Sequence, residues 1–135
     1  MKLSDLSAVA PIDGRYSNLV TELQEIFSEY ALIKYRVFVE IEWFIHLSKQ
    51  PNIKELPNLT KQSLAFLSKI EKNFSLTEAR KIKNIEKKTN HDVKAVEYYL
   101  RDQFMKSKQL KGLPEFIHFG CTSEDINNIS YALMV

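Results

Sequence analysis

Apolar residues recur at every third or fourth position along most of this chain. Leu19, Leu23, Ile26, Phe27 and Tyr30 begin a stripe that Ile33, Val37, Ile41, Phe44 and Ile45 continue. This spacing predicts helix from Ser17 to about Gln50, with room for a break near Ser28-Glu29. Phe38 and Trp43 widen the stripe, so this segment is expected to be covered on more than one side. Pro51 and Pro57 bracket a short connection. A second helix is predicted from about Leu59 to Phe74, with Leu64, Leu67, Ile70 and Phe74 on one face. Ser75 and Glu78 have the spacing of a capping box and open a third helix to about Lys88. Its apolar stripe is thin, only Ala79, Ile82 and Ile85, which puts it at the edge of the domain.

A fourth helix presents Val93, Val96, Leu100 and Phe104 to the core. Asn90 or Asp92 can cap it, which places His91 in its first turn. After the polar run from Lys106 to Pro114, a last helix over about 125–135 carries Ile126, Ile129, Tyr131 and Leu133 on one face, with Thr122 or Ser123 as N-cap. Strand-like alternation and internal repeats are missing from the sequence, so the pattern specifies an all-α fold. Gly112-Leu-Pro114 is the best domain boundary, dividing 1–111 from 112–135. The chain ends in Ala132-Leu-Met-Val135 without a glycine, a basic last turn or a polar tail. An apolar helix that ends uncapped is expected of a piece of something longer. Its exposed face is expected to leave it disordered, folded back on the domain, or paired with another copy.

Composition narrows the functional classes. Apolar residues make up 44% of the 135 and charged residues 27%, which fits one globular domain rather than a disordered chain. Nineteen Lys and Arg are interleaved with seventeen acids for a net charge of only +2, so no case for nucleic acid arises. The basic run from Arg80 to Lys88 contains Glu86 and reads as a solvated helix face. The sequence shows neither a signal-peptide pattern nor an apolar run of membrane length. The single Cys121 cannot form an internal disulfide, which makes a cytoplasmic location the simplest expectation.

Three places concentrate chemistry. Pro11-Ile-Asp-Gly14 reads as a turn that delivers Arg15 and Tyr16, and an arginine so placed either clamps an anion or covers an apolar surface patch. Thr89-Asn-His-Asp-Val-Lys94 sets His91 beside Asp92 among free helix amides, where it can bind an anion or shuttle a proton, or simply end one helix and cap the next. Phe116-Ile-His-Phe-Gly-Cys-Thr-Ser-Glu-Asp-Ile-Asn-Asn128 brings His118 and two hydroxyls to a helix start, a favourable place for an anion. No metal site is expected, because the three histidines are far apart and Cys121 has no Cys-x-x-Cys companion. Cys121 reads as a small buried apolar residue, and His46 as a packing or surface histidine.

Together Pro11-Ile-Asp-Gly-Arg-Tyr16, Ile26-Phe-Ser-Glu-Tyr30, Thr89 through Tyr98 and Phe116 through Asn128 closely resemble the N-terminal third of the bacterial adenylosuccinate lyases, a family of the aspartase/fumarase superfamily. The resemblance covers essentially the whole chain. It implies a terminal helical domain at 1–111 and the start of a central helical domain at 112–135. It implies elimination of fumarate from adenylosuccinate, giving AMP, and from succinylaminoimidazole carboxamide ribotide, without cofactor or metal, by a homotetramer whose sites form where three subunits meet. Arg15 and Tyr16 then match the nucleotide-binding pair, with Arg15 on the phosphate. Asn90, His91 and Asp92 match a substrate-binding segment in which His91 is an active-site histidine, His118 matches a further histidine lining the site, and Thr122 and Ser123 match the groups holding the succinyl portion. The family's general acid and its serine base lie on segments this chain does not contain, so the resemblance implies a chain inactive alone. A non-catalytic helical interaction module remains the alternative of a different class. A sister lyase acting on argininosuccinate or aspartate is disfavoured by the Pro11–Tyr16 and Thr89–Lys94 runs.

Overall fold

Ser28 divides the first apolar stripe into two helices. Its extended backbone interrupts the hydrogen-bond ladder, and its hydroxyl accepts from the Ala31 amide at 3.2 Å. Helix α1 therefore spans Thr21–Phe27 and α2 spans Glu29–Leu47. The computed structural model describes residues 6–135. The signal-peptide and domain readings take in residues 1–5, which lie outside the described residues.

The remaining helices are α3 (Lys61–Lys72), α4 (Leu76–Thr89), α5 (Asp92–Phe104) and α6 (Ser123–Met134), with 3-10 turns at Ser17–Leu19 and Pro114–Phe116. No strand occurs among the described residues, as the periodicity requires. Helix α3 starts two residues later than its stripe because Thr60 takes the N-cap, accepting from the Ser63 amide at 3.1 Å. The capping box expected at Ser75–Glu78 does not form. Glu78 instead accepts from Lys81 at 2.6 Å and from the Tyr99 hydroxyl at 2.8 Å, and these contacts draw its carboxylate away from the helix start.

Helix α2 is the axis of the fold and packs against each of the other five helices. One side buries Ile33, Val37, Ile41, Phe44 and Leu47 against Leu67, Ile82, Val96, Leu100 and Phe104. Phe44 and Phe104 meet edge to face, 4.8 Å between ring centres. The opposite side places Val39 against Val93 and Ile126. Burial on two sides is what the widened stripe predicts. Leu110 and Ile117, in the connection to α6, lie in the same main core. Helix α6 folds back along α2, burying Ile126 and Ser130 and leaving Ile129, Tyr131 and Leu133 exposed.

Two charged residues interrupt the buried face of α2 one turn apart, Arg36 at 5% exposure and Glu40 at 1%. Burying unpaired charge costs several kcal/mol, so each demands a partner. Arg36 finds its partners in the first turns of α5 and α6, and Glu40 finds His118 in the loop that leads to α6.

Candidate active site

The α4–α5 junction is built from three successive backbone conformations. Asn90 closes α4 in the left-handed region at φ 52°, with its amide on the Glu86 carbonyl at 2.7 Å. Asparagine tolerates this geometry better than most residues. His91 is extended and caps α5 itself, its Nδ1 accepting from the Lys94 amide at 3.2 Å. The sequence pointed to Asn90 or Asp92 as the cap. The structure uses Asn90 to end α4, and Asp92 already lies inside α5, so the position between them takes the role.

This has a chemical consequence. A ring whose Nδ1 accepts a hydrogen bond carries its proton on Nε2 in the neutral form, so His91 presents an N–H donor outward. The side chain is half exposed and lines an open groove of about 600 Å³ with Lys83, Glu86, Lys87, Asn90 and Asp92. Lys94 turns to Glu97 at 2.8 Å and lies over the Tyr98 ring.

At the second helix start the choice between Thr122 and Ser123 falls to Thr122. Its hydroxyl accepts from the Asp125 amide at 3.4 Å and donates to the Asp125 carboxylate at 2.8 Å, while that carboxylate accepts the Thr122 amide at 2.7 Å. The Thr122 amide and hydroxyl together hold the Asp125 carboxyl below the usual carboxylate range. Ser123 makes no side-chain hydrogen bond among the described residues, so its hydroxyl is the free one of the pair.

The loop leading to this cap reverses through two left-handed residues, His118 at φ 60° and Gly120 at φ 70°. A histidine in this region is held there by its surroundings. His118 Nδ1 meets Glu40 Oε1 at 2.6 Å, and Trp43 Nε1 donates to the Phe119 carbonyl at 2.8 Å. The bond to Glu40 raises the His118 pKa above its ordinary value, outweighing the opposing effect of burial. Cys121 Sγ lies 3.5 Å from His118 Nδ1. Burial, with Glu40, Asp125 and Glu97 nearby, pushes the thiol up to about 12, so it stays protonated and is no nucleophile at neutral pH. Glu40, His118 and Cys121 bring their ligand-type atoms within 4.8 Å of one another. Glu40 Oε1 pairs with the imidazole at 2.6 Å while Glu40 Oε2 is buried without a hydrogen-bond partner, and with the thiol neutral the Glu40–His118 pair braces the loop.

Arg36 joins the two helix starts. Its Nη2 lies 2.7 Å from Asp92 Oδ2 and its Nε donates to Asn127 Oδ1 at 2.9 Å. Asp92 Oδ1 meanwhile accepts from the Val93 amide at 2.8 Å. Burial pushes the Asp92 carboxyl up, but the Val93 amide and the Arg36 guanidinium outweigh it and hold it below the usual range. The sequence reading passed over Arg36, Glu40 and Asn127. The first two were legible as charges in a stripe that should be buried on both sides. Asn127 carried no comparable signal.

Arg15 and Tyr16 make their contacts locally. The Pro11 turn forms as predicted, with the Tyr16 amide on the Pro11 carbonyl at 2.9 Å, and the Arg15 guanidinium lies 5.3 Å from the centre of the exposed Tyr16 ring. Among the described residues no hydrogen bond or ion pair joins Arg15 to His91, His118, Thr122 or Ser123. Asn90, His91 and Asp92 are contiguous, and Arg36 connects them to the helix that Thr122 and Ser123 begin. His46, as expected, is a surface group stacked on Trp43.

Comparison with known proteins adds a family. Residues 14–135 match the lyase family. Over all 135 residues the chain is 55% identical to the adenylosuccinate lyase of Legionella pneumophila strain Corby, 50% to that of Escherichia coli K12 and 47% to that of Buchnera aphidicola from Acyrthosiphon pisum. In each case the chain spans 30% of the relative's length.

Proposed function

This chain belongs to the lyase family of the aspartase/fumarase superfamily, and on that premise we propose that it is part of an adenylosuccinate lyase. The reaction is a β-elimination that releases fumarate from adenylosuccinate to give AMP, and from succinylaminoimidazole carboxamide ribotide earlier in purine synthesis. The observation carrying this reading is 50–55% identity across the entire chain to enzymes of that name.

The geometry supports particular roles. The difficult moment of such an elimination is carbanion-like charge beside an existing carboxylate, which amides, hydroxyls and donors aimed at the carboxylate relieve. Ser123 offers a free hydroxyl at the α6 N-terminus, and the first-turn amides of that helix lie beside it. Thr122 reaches a substrate only by sharing or releasing Asp125. His91 offers its Nε2–H donor in a groove that also holds Asn90 and Asp92. Arg15, exposed and fixed by its turn, is free to take a phosphate. Arg15 makes no hydrogen bond or ion pair to the other groups among the described residues, which fits a site assembled from several subunits of a homotetramer, with Arg15 and Tyr16 serving a different copy's pocket. His118 supports the wall through Glu40. The general acid and base come from the rest of the enzyme, residues 112–135 begin its central domain, and the working protein is cytoplasmic.

Fumarate release tests this reading. The full-length protein is expected to release fumarate from adenylosuccinate, Arg15→Ala to raise KM strongly, and the 135-residue chain alone to release none. Normal turnover by the isolated chain, or none by the full-length protein, rejects the assignment.

A further inference from the structure

We propose that Arg36 is a positioning residue for the lyase chemistry, setting the distance between the start of α5, which carries His91, and the start of α6, which carries Thr122 and Ser123. The inference rests on the lyase reading above. Few apolar groups hold these two helix starts together, since the cluster between them has only Val39, Val93 and Ile126 as its buried members. Arg36 supplies the polar link, reaching Asp92 at 2.7 Å and Asn127 at 2.9 Å from a side chain that is itself 5% exposed.

The residue type matters. A guanidinium is a planar fork whose donors keep fixed angles, so two acceptors on different helices are held at a set separation. An ammonium is a point charge on a flexible stem and imposes no such geometry. Asp92 transmits the constraint. One of its oxygens takes Arg36 while the other takes the Val93 amide, so the carboxylate orientation and the first turn of α5 are fixed together, directly beside the His91 cap. A buried ion pair is a poor source of net stability compared with a well-packed apolar group of similar volume. What an arginine offers here and a methionine does not is register between two walls of a site.

A displacement of about 1 Å in a reacting constellation costs about a hundredfold in rate. In the full-length enzyme, Arg36→Met is therefore expected to lower kcat about a hundredfold and Arg36→Lys about tenfold, with KM changed by less than about threefold, because misplacement weakens transition-state contacts more than ground-state binding. Asn127→Ala cuts only the α6 arm and is expected to lower kcat severalfold with an unchanged melting temperature. Added to Arg36→Met it should cost nothing more, since both act through one link. Wild-type kcat in both Arg36 variants, or losses that multiply in the double variant, overturns the proposal. If Arg36→Met does not fold, Asn127→Ala decides: a kcat loss in a normally melting protein supports the link, and unchanged kcat rejects it. Wild-type enzyme that releases no fumarate instead rejects the lyase reading on which the link rests.

Discussion

His118, a candidate for lining the site, is also a brace for the loop that carries it. Its Nδ1 is held by a carboxylate buried to 1% exposure, and its backbone sits in a conformation few residues choose. Because its pKa is raised in the folded state, the folded protein binds the proton more tightly than the unfolded chain. The resulting stability is full below about pH 6.5, the ordinary histidine value, and is lost as pH rises through the raised one. His118→Asn keeps a residue tolerant of positive φ but removes the charge. The melting-temperature gap between wild type and this variant is expected to be widest near pH 6 and to narrow toward pH 9. A gap that stays constant or widens would show that the ion pair contributes nothing. In sequence, His118 was visible as a histidine near a helix start, but its partner Glu40 lies 78 residues away, so their pairing was not.

At the scale of elements, the informative places are the helix ends. The stripes located the helices, and the caps differ from the expected ones where a residue was taken up by another contact or role. Glu78 left its capping box for Lys81 and Tyr99, and His91 became the cap because Asn90 was needed to close α4. Asn90 gives a direct test of the second case. Asn90→Ala places a Cβ residue without the asparagine amide in the left-handed region and is expected to cost about 1 kcal/mol of stability, whereas Asn90→Gly is expected to stay within a few tenths. Chemical denaturation of the isolated chain measures both. Equal losses would mean that the Asn90 side chain, rather than its backbone angle, is what the junction needs.

For the whole molecule, the open question is what covers α6. Ile129 and Leu133, at 50% and 42% exposure, border shallow apolar grooves with Phe38 and Trp43 of α2. The lyase reading assigns this face to the central domain. Ile129→Glu with Leu133→Glu is accordingly expected to leave the isolated chain folded by circular dichroism, since neither side chain is buried. In the full-length enzyme the same pair should abolish assembly. Normal assembly there would show that this face is not the junction.

The sequence by itself determined the helical class, the positions of most helices, the two-sided burial of α2 and the segments that hold the candidate chemistry. Each depends on contacts a few residues apart or on a periodicity that burial imposes, and such information is local. Tertiary structure alone decided which groups meet. It paired Glu40 with His118 and placed Arg36 between Asp92 and Asn127. These pairings join residues tens of positions apart, and they exist because two charges on the buried face of α2 must find partners wherever the fold brings them.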